Sequence, residues 1–232
     1  MSHTPNHLVN AVLPSEHVNT GIAMIQQQVT TYYLNYTGPE LPIPAILAQA
    51  NDPTRGLRFE QIRQPAPEQC QFLFSAVGTP WQWFSRLAWR YEQWCSHVAS
   101  ADVRVFVLYE HGAIAGYVEL RRSDDADIEF KFFGLLPAFS GRGLGPVLMQ
   151  AALAVAQQWQ GELAPCTGRI WLHSCDLDHP AALRSYQRAG FEITEQVTAM
   201  ESMPADYLQA VLSQDYHATR LAYWRAQFAL RA

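Results

Sequence analysis

The chain has 232 residues, 49% of them hydrophobic and 12% aromatic, enough to bury one large core and too apolar for a disordered chain. Its formal net charge is −5 and its only lysine is Lys131, a balance that excludes a protein built to neutralise nucleic-acid phosphates. No stretch approaches the ~20 apolar residues of a membrane span, and no signal peptide is visible. The four cysteines, Cys70, Cys95, Cys166 and Cys175, show no CxxC spacing, so a reduced, cytoplasmic protein is expected.

From the N-terminus, Pro14-Ser15-Glu16 suits a short helix reaching Met24 and Ile25. The β-branched and aromatic residues of 29–36 predict a strand. Pro39, Pro42, Pro44 and Pro53 mark an irregular connection with a short helical turn at 45–50. Residues 57–63 alternate apolar and polar, as a half-buried strand does. Pro67 and Glu68 open a helix that ends at Gly78-Thr79-Pro80. Aromatic residues follow at Trp81, Trp83, Phe84, Trp89, Tyr91 and Trp94, with 91–100 helical. Strands at 103–109 and 113–120 form a hairpin through His111-Gly112, and after a turn at 123–126 another strand covers 127–136.

Leu144, Val147, Leu148, Ala151, Ala152, Val155 and Trp159 recur at helical spacing, so 143–161 is a helix. A strand at 168–173, a helix at 180–189 capped by Gly190, and a strand at 191–198 come next. Residues 204–228 read as a long helix rich in aromatics. The order predicts an α/β fold with a mixed sheet. It divides into a 1–56 extension with a strand, a 57–199 domain and a 200–232 C-terminal helix.

The most informative stretch is 130–149, an apolar strand, a Pro137 break and a glycine-rich turn that opens a helix. Such a turn exposes unpaired N–H groups to an anion. A P-loop is excluded because no GxxxxGK occurs. A GxGxxG fingerprint fails at Pro146 in one register and at Leu148 in the other. With Leu135-Leu136-Pro137 and Ser140-Gly141-Arg142-Gly143-Leu144-Gly145, the stretch resembles the coenzyme A loop of the GNAT acyltransferase superfamily. Downstream, His179-Pro180-Ala181-Ala182, Tyr186 and Gly190-Phe191 are similar to a second motif of that superfamily. Val77-Gly78, Trp81, Trp83, Arg86 and the run 177–180 resemble a poorly characterised subgroup of it. Two positions depart from the pattern: Ser140 stands in an Arg/Gln slot, and Pro146 lacks an N–H.

The resemblance implies a mostly antiparallel central sheet flanked by helices, with splayed central strands, and an N-acetyltransferase using acetyl-CoA without a metal. It implies that the backbone at Phe133, Gly134 and Leu135 holds the pantetheine arm. Ser140, Gly141, Arg142, Gly143, Leu144 and Gly145 would hold the pyrophosphate, Arg142 supplying the charge that Ser140 lacks. His179 would contact the pantetheine. Glu129 is the implied base for the amine and Glu119 the second candidate; alternation puts Glu129 on one strand face with Lys131 and Phe133. Tyr186 occupies the slot of the group that donates to the departing thiolate.

Trp81 and Trp83, with Glu129, fall where the acceptor wall is expected, and Asp124, Asp125 and Asp127 favour a cationic acceptor. The acceptor would be a small-molecule or peptide amine. His173, Cys175, Asp176, Asp178 and His179 crowd together but fit no standard zinc spacing. Two readings of other classes stand beside the enzyme: a non-catalytic acyl-CoA-binding or sensing protein, and a homodimer built through the aromatic C-terminal helix.

Overall fold

The computed structural model describes residues 23–123, 126–162, 168–207, 210 and 219. In chain order these form β1 (Met24–Tyr36), α1 (Ile43–Ala50), β2 (Leu57–Gln61), α2 (Pro67–Gly78), α3 (Tyr91–Val98), β3 (Val103–Glu110) and β4 (Ala113–Arg122). They continue with β5 (Ile128–Leu135), α4 (Leu144–Gly161), β6 (Ile170–Cys175), α5 (Ala182–Arg188) and β7 (Phe191–Pro204). The strands make one sheet in the order β2-β3-β4-β5-β6-β1-β7. Only the β5–β6 pair is parallel. The sheet is therefore mixed and mostly antiparallel, as expected. No described helix is long and apolar enough to cross a membrane.

Two cores lie on the two faces of the sheet. On one face, α4 packs over Val118, Leu120, Ile128 and Phe130. The apolar stripe read from the sequence is buried apart from Val147, which is only partly so, but Met149, Leu153, Ala154 and Ala156 are buried as well. The reason is α1, which packs along the second side of α4. Gln157 holds the approach: its side-chain oxygen accepts from the Leu41 N–H at 2.9 Å and its amide donates to the Pro39 carbonyl at 3.3 Å. On the other face, Leu73, Phe74 and Val77 of α2 and Trp94 of α3 cover Val105, Val107, Tyr117 and Phe132.

The strand read in the 1–56 extension is β1, which lies between β6 and β7 with Leu34 fully buried. Two readings are corrected. β1 begins at Met24, so Met24 and Ile25 are strand rather than helix. Residues 200–204, assigned to the C-terminal helix, are the end of β7, paired with β1 as far as Met24 opposite Pro204. Residues 199–203 have little intrinsic strand preference, and the ladder with β1 overrides it. Pro204 is tolerated because β7 is an edge strand. The remainder of the helix read over 204–228 falls almost wholly outside the described residues, as do residues 14–22, Asp124, Asp125 and Cys166.

Candidate functional site

β5 and β6 pair only over residues 128–130 against 170–172. Beyond that point β5 stays with β4, β6 stays with β1, and the two diverge. At the same place Glu119 pairs with Phe132 while Leu120 pairs with Phe130, so Lys131 is an extra residue, a β-bulge. The bulge reverses the alternation. Phe133 and Leu135 join the α4 face with Phe130, and Phe132 joins the opposite core. The expected shared face of Glu129 and Phe133 is therefore corrected. Between the diverging strands opens a cleft of about 660 Å³, bordered by Phe133, Gly134 and Leu135 on one side and by His173, Ser174 and Cys175 on the other. That is a usual size for a small-molecule site.

The glycine turn closes one end of the cleft, which Ser140, Gly141, Gly143, Gly145 and Pro146 line. Gly141 and Gly143 have φ of 74° and 76°, in the left-handed region, while a Cβ on either would meet nothing within 4 Å. These glycines are needed for backbone shape, and the space in front of them is open. Gly143 is the N-cap of α4, so the N–H groups of the next residues have no acceptor within the helix. Leu144 is buried and is not part of the cleft lining. Pro146 removes one donor from this first turn. Gly143→Ala is expected to lower stability by roughly 1–2 kcal/mol, the left-handed penalty for an L-residue, read as a shift of the urea midpoint.

Arg142 does not supply charge to the cleft. Its guanidinium pairs with Glu110 Oε2 at 2.6 Å and lies over the Phe139 ring, and the residue is absent from the cleft lining. Lys131 and Arg188 are cations that do line the cleft; Arg188, near the end of α5, is an exposed residue that the sequence reading did not select. Its only signal was its place two residues after Tyr186 on a short helix.

Tyr186 is buried, with its ring edge-on to Phe133 at 6.1 Å and to Phe191 at 6.3 Å. It lines the cleft, and no hydrogen bond is among the influences on its hydroxyl. Burial, and then Asp178 and Cys175 nearby, push the phenol above its ordinary value of 10. Cys175 also lines the cleft; burial and then Asp178 raise its thiol to about 11, which disfavours the thiolate at neutral pH.

Trp81 and Trp83 line the cleft, and Trp83 packs on the sheet face away from α4. They reach the β6–α5 connection: the Trp81 ring meets His179 edge-on at 4.9 Å, and Trp83 Nε1 donates to Asp178 Oδ1 at 3.4 Å. Trp83 packs on Gly78, where a Cβ would meet its ring, and its carbonyl accepts from the Tyr207 hydroxyl at 2.8 Å. His179 lines the cleft and its Nδ1 accepts the Ala181 N–H at 3.0 Å, at the start of α5. Asp178 accepts from Ser174 Oγ and the Cys175 N–H, so it ties off β6 rather than capping the helix. Asp127 is paired with Arg169 at 2.8 Å. Among the described residues no group of three or more His, Cys, Asp or Glu side chains is arranged to hold a metal ion.

Glu119 is not brought to the cleft. It is buried under α3, where Arg86 donates to both its oxygens, at 2.8 and 2.5 Å, and His97 Nε2 lies 2.9 Å away. Arg86 is itself sandwiched against Trp89, Phe132 and Trp94. Glu129 stands behind the cleft wall, its side chain 10% exposed, with Oε1 3.0 Å from Lys131 Nζ and 3.4 Å from His173 Nδ1. Burial alone would raise its carboxyl, but His173 and Lys131 outweigh that and lower it. Lys131 and His173, its two partners, do line the cleft.

The profile of the Acetyltransferase (GNAT) family matches residues 63–191, more than half of the chain. Uncharacterized N-acetyltransferases of Mycobacterium tuberculosis and Mycobacterium bovis are 39% identical over 82 residues, covering 35% of this chain and 48% of theirs. The chain thus spans about half the length of the curated relatives it matches. Among solved structures, a GCN5-related N-acetyltransferase from Sphaerobacter thermophilus is similar with a TM-score of 0.50 at 17% identity, over 77% of this chain and 53% of that one. An aminoglycoside acetyltransferase from an uncultured soil metagenomic sample, in complex with sisomicin, also has a TM-score of 0.50, at 14% identity over 64% and 96%. At these identities the structural likeness is one of fold.

Proposed function

The chain belongs to the acetyltransferase (GNAT) family, and we propose that it transfers an acetyl group from acetyl-CoA to a primary amine by direct attack. The observation that carries this is the divergence of β5 and β6 into a cleft that ends at the donor-rich first turn of α4. The edge of β5 released from β6 offers backbone groups at Phe133, Gly134 and Leu135 to an amide-bearing arm, as a strand added to the sheet would use them. The N–H groups of the glycine turn meet the pyrophosphate. A backbone N–H of β5 aimed at the thioester oxygen would stabilise the charge that develops there. Tyr186 donates to the departing sulfur. The high thiol value of Cys175 argues against an acyl-enzyme, leaving the amine itself as the nucleophile.

Calorimetry with acetyl-CoA, followed by thiol release against a panel of amines, tests the reading. Binding and amine-dependent release support it; binding without transfer to any amine turns the protein into a non-catalytic acyl-CoA binder. Arg188 is the side chain we assign to the phosphates in place of Arg142. Arg188→Ala is expected to weaken acetyl-CoA about three- to tenfold, with a loss that shrinks at high salt because the pair is exposed. An Arg142→Ala variant is expected to leave affinity unchanged, since its guanidinium serves Glu110.

A further inference from the structure

Deepening that reading and resting on it, the geometry points to His173 as the group that takes the proton from the acceptor ammonium, with Glu129 as its positioning residue. His173 sits on β6 one residue past the last pair with β5, where the strands part, and its ring lines the cleft. Tyr33 and Trp171 stack on each other at 6.4 Å, and together they pack against the ring at centroid distances of 6.1 and 6.2 Å. Nδ1 faces Glu129 Oε1 at 3.4 Å. A carboxylate on that nitrogen selects the tautomer with its proton on Nδ1 and leaves the lone pair on Nε2. Nε2 is the ring nitrogen that does not face Glu129.

Neither carboxylate does this work as well. Glu119 is sealed under Arg86. Glu129 is off the cleft wall, and its Oε1 already serves both Lys131 and His173, which favours the charged form. Lys131 donates to that same oxygen and offers no lone pair. His179 and Asp178 also line the cleft, but the Nδ1 lone pair of His179 is taken by the Ala181 N–H, which leaves the proton on its other nitrogen, and Asp178 accepts from Trp83, Ser174 and Cys175. His173 lines the cleft with a carboxylate on one nitrogen and a lone pair on the other.

The protons balance as follows. The ammonium gives one proton to His173 Nε2, which passes it to solvent. The neutral amine attacks the thioester carbon, and the tetrahedral species then breaks its C–S bond. The second nitrogen proton ends on the departing sulfur by way of Tyr186, which gives its hydroxyl proton and recovers one from that nitrogen. Amide, thiol and one solvent proton result.

The charged groups facing His173 are Glu129 and Lys131 from β5; β1 presents Tyr33, whose register partner on β7 is Glu195. The test compares wild type with His173→Gln, and with the smaller His173→Asn, across pH 7 to 10, using an alkyl amine that wild type acetylates. Acetyl-CoA affinity by calorimetry is expected to stay unchanged. Turnover per amine, kcat/KM, is expected to fall about 100-fold near neutral pH, the lower range for a general base. The gap should narrow as pH approaches the ~10.4 of an alkyl amine, which then no longer needs a base. Glu129→Gln should give a smaller loss with the same pH trend. An undiminished rate, or a loss constant across pH, overturns the assignment. Wild-type protein that binds no acetyl-CoA, or acetylates no amine, instead overturns the reading beneath it and the assignment with it.

Discussion

Glu119→Ala is expected to destabilise the fold by about 3–5 kcal/mol, because it leaves the Arg86 charge buried without its partner. The side chains of Arg86 and Glu119 are 5% and 2% exposed, and both carboxylate oxygens are engaged. Such a pair is weak evidence for net stability while it is intact, since desolvation offsets most of the attraction. Breaking it is another matter. A double replacement by apolar residues, Arg86→Met with Glu119→Leu, is therefore expected to cost much less than the single variant. Urea unfolding of the three proteins measures the contrast. A single variant within 1 kcal/mol of wild type would mean that Arg86 reaches water or another anion.

The same pair gives a pH dependence with a definite sign. Burial pushes the Glu119 carboxyl up, but Arg86 and then His97 outweigh burial and hold it at about 2, against an ordinary 4.5. The folded value lies below the unfolded one, so the stabilisation is fully present above pH ~4.5 and is lost as pH falls through about 2. Its size is roughly 3 kcal/mol by linkage. The apolar double variant should lose this part of the acid dependence. What the pair does for function is indirect. Arg86 belongs to the segment after α2 that carries Trp81 and Trp83, and its bond to β4 anchors that segment beside the cleft.

This pairing also marks where the sequence stops being readable. The glycine turn was legible because its demand is local: two left-handed residues and a helix start need glycines at those spacings. The β3–β4 hairpin and α4 were legible for the same reason, since periodicity of 2 or 3.6 reports on neighbours along the chain. The direction of Arg142 was not, because Glu110 competes for it from the end of another strand. Glu119 was read as the second candidate base, with no sign in the sequence that Arg86 would meet it. The bulge at Lys131 reversed the face of Phe133, and a one-residue slip of that kind leaves no mark on composition. Position between β6 and β7 is likewise a property of the whole sheet, so β1 read as an extension. His173 was visible only as one of a crowd of possible ligands, and its meaning comes from Glu129 on the next strand.

Tyr186→Phe is expected to lower kcat by about 10²–10³ while leaving acetyl-CoA affinity and folding stability near wild type. The ring contacts with Phe133 and Phe191 survive the change, and no hydrogen bond is among the influences on the hydroxyl, so little structure rests on the oxygen. In water, full transfer of a phenol proton to a thiolate is uphill by roughly 2 kcal/mol, from ordinary values near 10 and 8.5. In this site it is steeper still, since burial raises the phenol further. The hydroxyl therefore acts best by donating a hydrogen bond to sulfur as its charge grows, giving up its proton only as it receives one from the amine nitrogen. Loss of one such donor from a water-poor site costs about 3 kcal/mol, which sets the expected factor. Because the interaction exists only once the C–S bond is breaking, the loss belongs in kcat and not in acetyl-CoA binding. Steady-state kinetics with calorimetry on both proteins separates the two. An unchanged kcat would mean that solvent protonates the thiolate and that Tyr186 does no more than pack against Phe133.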